Sequence, residues 1–178
     1  MKKALAIILA IACVFALGAC SSGGSSSNSG STKSTSAAPD YGELYFEANG
    51  VKFGIFDKAD DVLPKLGDPD STFESDSCAY QGKDMFYYYD GFELMVNDVD
   101  GTDRITGITL ADDTISNPQG VKIGMKIDEA LGLMDGVEYT SSGSTYKFTS
   151  GSTLFRLQAG DDGTVSAAEY SVAANDSQ

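Results

Sequence analysis

The sequence predicts an α+β fold of two tandem repeats, each a short helix followed by three antiparallel strands, with the helices packed on one sheet face. Three observations predict it. Apolar residues at helical spacing occur twice, alternating apolar residues follow each occurrence, and glycine-containing turns separate the alternating runs.

The first repeat opens with a hairpin from Tyr45 to Phe53, turned at Asn49-Gly50, a dipeptide suited to the tight turns that join paired strands. Ala59, Val62, Leu63 and Leu66 then follow the i, i+3, i+4, i+7 spacing of one helix face. Ile127, Ala130, Leu131 and Met134 repeat that spacing at a constant offset of 68. Pro64 and Gly132 fall at equivalent positions and weaken both helices, so both should be short. Asp57 is placed to cap the first helix, and Asp128 and Glu129 put negative charge in the first turn of the second.

Just before these helices, Val51-Lys52-Phe53-Gly54-Ile55 reappears as Val121-Lys122-Ile123-Gly124-Met125. After them, Met85 to Gly91 aligns with Thr145 to Gly151 at an offset of 60. Leu94 and Val96 match Phe155 and Leu157, and Ile108 and Leu110 match Ala168 and Tyr170. Asp100-Gly101 and Asp162-Gly163 mark the hairpin between the last two strands of each copy.

Four segments follow: residues 1–19 as a signal peptide, 20–39 as a lipidated flexible tether, 40–112 as the first repeat with its hairpin, and 113–178 as the second. Lys2 and Lys3 precede an apolar run from Ala4 to Leu17, the charge and length of a secretory signal and too short for a permanent membrane span. Leu17-Gly18-Ala19-Cys20 resembles the lipobox of bacterial lipoproteins. That resemblance implies diacylglyceryl attachment to the Cys20 thiol and cleavage before it; an ordinary signal cut after Ala19 is the alternative. The expected location is the extracellular face of the cell membrane, with the membrane itself a partner through the anchor. Ser21 to Ala38 is Ser/Gly/Thr/Asn with one charge, Lys33, and buries too little to offset its ordering entropy. As a flexible chain it reaches about 23 Å. A glycosylated stalk shares this composition.

The order of elements, with Gly124-Met125 before a short helix and a glycine-turned hairpin after it, resembles the tandem repeats of β-lactamase inhibitory protein and of the small outer-membrane assembly lipoprotein family. The similarity covers most of residues 51–172. Ser77 to Asp84, followed by Tyr87 to Phe92, also resembles uncharacterised lipoproteins of Gram-positive bacteria. The resemblance to the inhibitor implies protein binding through the sheet and names no partner.

Composition narrows the function classes. There are 26 acidic and 12 basic residues, a net charge of −14 that becomes more negative once Lys2 and Lys3 leave with the signal. Nucleic acid is therefore not expected as a partner. The chain has no histidine, and with Cys13 in the signal and Cys20 lipidated, Cys78 is the only thiol left in the folded part. This rules out an intramolecular disulfide there, Cys/His zinc sites, and Ser-His-Asp or Cys-His catalysis. A buried, inert thiol is expected at Cys78.

Asn97 to Asp103 has the look of a calcium loop, but Val96 stands where an oxygen ligand is required and the distal glutamate is missing, so a turn is expected. No metal and no cofactor are expected. Carboxylates such as Asp68, Asp70, Asp112 and Asp113 fall in turns, and no spacing singles out a catalytic pair. A non-catalytic protein is expected, with a carboxylate-based wall hydrolase as the distant alternative.

Phe86 and Tyr88 align with Tyr146 and Phe148, which predicts that this phase of the strand packs on the helices. Tyr87 and Tyr89, aligned with Lys147 and Thr149, should then lie on the open face near Glu93 and Met95. Exposed tyrosines suit an interface, so these four residues form the candidate site for an envelope protein or peptide, or alternatively for a wall glycan.

Overall fold

The computed structural model describes residues 42–173. The expected signal, Cys20 and the tether lie outside the described residues. The fold is mostly β, which corrects the α+β expectation of helix-plus-three-strand repeats. The elements are β1 (Phe46–Ala48), β2 (Val51–Phe53), α1 (Ala59–Leu66), β3 (Ser71–Asp76), β4 (Gln81–Tyr89), β5 (Phe92–Val99) and β6 (Thr102–Leu110). There follow α2 (Ile127–Leu133), β7 (Tyr139–Ser142), β8 (Thr145–Ser150), β9 (Thr153–Ala159) and β10 (Val165–Val172).

β1 and β2 form their own hairpin. The other eight strands form one antiparallel sheet in the order β3-β4-β5-β6-β10-β9-β8-β7. Four strands follow each helix, and β6 and β10 meet at the centre. The two strands absent from the expectation, β3 and β7, are the sheet edges. β3 reads Ser-Thr-Phe-Glu-Ser-Asp and β7 reads Tyr-Thr-Ser-Ser. An edge strand escapes two-sided packing, so apolar alternation is weak or absent there.

The helices have 8 and 7 residues, in keeping with Pro64 and Gly132. Their N-caps are Lys58 and Lys126, and neither has a side-chain cap. Asp57 does not cap α1; its carboxylate accepts the Gly54 N–H at 2.9 Å. Both helices are instead entered from the sheet. Phe56 N–H donates to Ile105 O at 2.8 Å and Ile105 N–H to Asp57 O at 2.9 Å. In the second copy Gly124 N–H donates to Val165 O and Val165 N–H to Met125 O, both at 2.8 Å. Gly124 thus corresponds to Phe56, not to Gly54. Both are left-handed, with φ of 81° and 71°.

One row of side chains crosses the whole sheet: Thr72, Tyr87, Leu94, Ile108, Tyr170, Phe155, Phe148 and Tyr139. Its six inner members pack with Phe46 and Phe53 of the hairpin, Val62 and Leu66 of α1, Ala130 of α2 and Met134 at the end of that helix. The Phe155 and Tyr170 rings meet at 4.4 Å between centroids, tilted by 32°. Each large apolar side chain fully buried here contributes about 1.5–3 kcal/mol.

Candidate binding surface

The sheet has two faces, and β4 shows how the sequence distributes side chains between them. Tyr87 pairs with Leu94, and Tyr89 pairs with and stacks on Phe92 at 4.9 Å, so both tyrosines lie on the core face. The Tyr89 hydroxyl donates to Gly67 O at 3.4 Å, just beyond the end of α1. Burial raises both phenol pKa values; Asp103 and Asp60 add to the effect on Tyr87, and Tyr87 and Asp68 to that on Tyr89. The expected open-face position of Tyr87 and Tyr89 is therefore corrected. Phe86 and Tyr88, expected to carry the packing, occupy the open face.

The error is a one-residue slip at a glycine. Gly91 is the second residue of its turn, after Asp90, whereas Gly151 is the first, before Ser152. Aligning glycine with glycine shifts the strand by one, and a shift of one moves every side chain to the other face. Counted from the turns, Tyr87 corresponds to Phe148, which is fully buried.

Glu93 and Met95 do lie on the open face, apart from Tyr87 and Tyr89. Two rows cross this face. The first runs Phe73, Phe86, Met95, Gly107, Ser171, Leu154, Thr149. Phe73, 56% exposed, meets Phe86 at 6.0 Å. Met95 lies across Gly107: a Cβ there would stand 3.2 Å from Met95 Cβ and 3.4 Å from its Cε. The glycine seats the methionine, which continues the aromatic pair toward the sheet centre.

The second row is polar: Ser71, Tyr88, Glu93, Thr109, Glu169, Arg156, Lys147, Thr140. Arg156 pairs with Glu169. Burial among its neighbours raises the Glu93 pKa, and a hydrogen bond with Tyr88 partly offsets this. The aromatic and methionine side chains of this face thus gather on β3 to β5 beside Glu93, while Glu169, Arg156 and Lys147 put charge on β10 to β8 next to buried Leu154.

Asn97 and Thr106 escaped sequence reasoning. They are 1% and 2% exposed and sit where β5 and β6 shift register. The Thr106 hydroxyl donates to Asn97 Oδ1, and Asn97 Nδ2 donates to Asp84. Polar residues mid-strand are the only sequence signal for such a linked group. Next to it, Asp98 accepts the Gly101 N–H at 2.7 Å, and Asp100 and Gly101 both have positive φ, 55° and 76°. The stretch that resembles a calcium loop is a hairpin turn closed by its own carboxylate. Among the described residues no cluster of three or more His, Cys, Asp or Glu could hold a metal ion.

Cys78 is exposed, not buried as expected. It lies in the β3–β4 loop, where the Ser77 hydroxyl accepts the N–H groups of Ala79 and Tyr80. With Asp98 to Gly101 that loop borders a cavity of about 630 Å³.

No family model matches the chain, and no curated protein does either. One solved structure is similar: an extracellular protein containing an SCP domain from Bacillus anthracis str. Ames, with a TM-score of 0.47 and 12% identity. The match covers 68% of this chain and 45% of that one, so the chain spans under half of that protein's length. Among the described residues no helix is long and apolar enough to cross a membrane.

Proposed function

We propose that this chain is a lipid-anchored, extracytoplasmic, non-catalytic binding module that takes an envelope protein or peptide on its open sheet face. The signal, the lipobox and Cys20 supply the address. The observation that carries the binding reading is the open-face pair of exposed Phe73 and half-buried Phe86, extended by Met95 and bordered by Tyr88 and Glu93. Aromatic and methionine side chains supply large contact area at modest entropy cost and dominate binding energies at interfaces. Tyr87 and Tyr89, on which both the protein and the wall-glycan readings drew, face the core; the protein or peptide reading is supported by Phe73, Phe86 and Met95 on the open face.

The test uses the whole chain in its own cell membrane. Cys20→Ser should lose metabolic palmitate label and leave the membrane fraction. Phe73→Ala with Tyr88→Ala should stay anchored and folded yet bind the retained envelope partner more weakly by over ~2 kcal/mol. Undiminished label in the first variant, or undiminished binding in the second, would remove that half of the proposal.

A further inference from the structure

The two sheet edges are defended unequally. β3 carries Glu74 and Asp76, both paired with Lys83 across the hairpin. Charge on an edge strand discourages the approach of another strand. β7 has no charged residue and no proline, and its register with β8 runs without a bulge. All four of its residues are exposed.

Its backbone is oriented to receive a strand. A two-residue hairpin closes on a hydrogen-bonded pair, here Ser142 and Thr145, and the pattern alternates from there. Thr140 therefore bonds to Lys147, while Tyr139 and Ser141 turn their N–H and C=O groups to the free edge. At this edge one large side chain, Tyr139, is 48% exposed. A shallow cavity of about 410 Å³ runs along Gly136, Val137, Glu138 and Tyr139.

We propose that β7 is a docking edge for an extended peptide, which adds a ninth strand to the sheet, places an apolar side chain against Tyr139 and carries positive charge. Backbone pairing supplies affinity in this mode, and side-chain pockets at alternate positions supply specificity. Charge selects the occupant. Glu138 lines the cavity, Asp135 is exposed just before it, and the whole chain carries −14. A second copy of this chain would bring like charge to the same edge, whereas a basic peptide is attracted. This site is separate from the open face and does not depend on it.

The probe is a synthetic nonapeptide alternating valine with lysine, titrated against the full chain in detergent micelles while exchange of the β7 amides is followed. Binding should slow exchange at Tyr139 and Ser141. Methylating the peptide's backbone nitrogens on the pairing side keeps every side chain and removes the donors, and should weaken binding about tenfold or more. Ser141→Pro removes an outward donor and no ladder bond, so it should weaken binding similarly without unfolding the sheet. Equal binding of the methylated peptide would overturn the proposal, as would unchanged exchange at Tyr139 and Ser141. So would a chain that self-associates through this edge in a manner abolished by Ser141→Pro, which would make the occupant a second copy.

Discussion

Tyr87 and Phe73 separate packing from binding at the level of single side chains. Tyr87 contacts the core from a half-buried position, so Tyr87→Ala should lower stability by about 1–3 kcal/mol, less than the cost for a fully buried aromatic. Phe73 is mostly exposed on an edge strand, and Phe73→Ala should stay within about 0.5 kcal/mol. Urea midpoints of the two variants provide the comparison. Glu93 offers a pH test. Its folded-state pKa is raised, so ionising it disfavours the fold. The stability it lends when protonated is present below the unfolded value of about 4.3 and is lost as pH rises through the raised one. Glu93→Gln should therefore raise the melting temperature at neutral pH, with the gain closing below about pH 4.

The elements show where sequence patterns inform and where they mislead. The helical offset of 68 holds in the structure, down to the backbone hydrogen bonds that enter each helix. Asn49-Gly50 and Asp100-Gly101 form the expected turns, each with two positive φ angles. What failed was glycine matched to glycine. Gly151 precedes its turn partner where Gly91 follows, and the left-handed position of Gly124 is held in the first copy by Phe56. A turn needs a positive φ at a given point, and another residue type can occupy it when packing offsets the strain. The edge strands were illegible because exposure removes the alternation on which strands are recognised. The open-face patch was half legible: Glu93 and Met95 fell on the expected face and the tyrosines did not. Two glycines of α2 and its approach test the backbone argument. Gly124→Ala has open space around it but a φ of 81°, and should cost about 1–2 kcal/mol. Gly132→Ala, also in open space but inside the helix, should stabilise by about 0.5–1 kcal/mol. Denaturant midpoints that move the same way for both would contradict this account.

Across the whole molecule, the two halves share one sheet and one core. β6 and β10 pair at the centre, and the row from Tyr87 to Phe148 runs through that junction without a gap. Each half alone would expose half of that row, and units of this size bury too little to be comfortably stable. The hairpin and both helices contribute to the core on one side, and the other face of the sheet is the surface proposed above for a partner. The most direct measurement of that claim is photo-cross-linking on living cells from two positions of the anchored chain, Phe73 on the open face and exposed Asp61 on α1. A discrete adduct should form from position 73, disappear with Tyr88→Asp, and be absent from position 61. The same adducts from both positions, or an adduct at 73 that survives Tyr88→Asp, would contradict the open face as the binding surface.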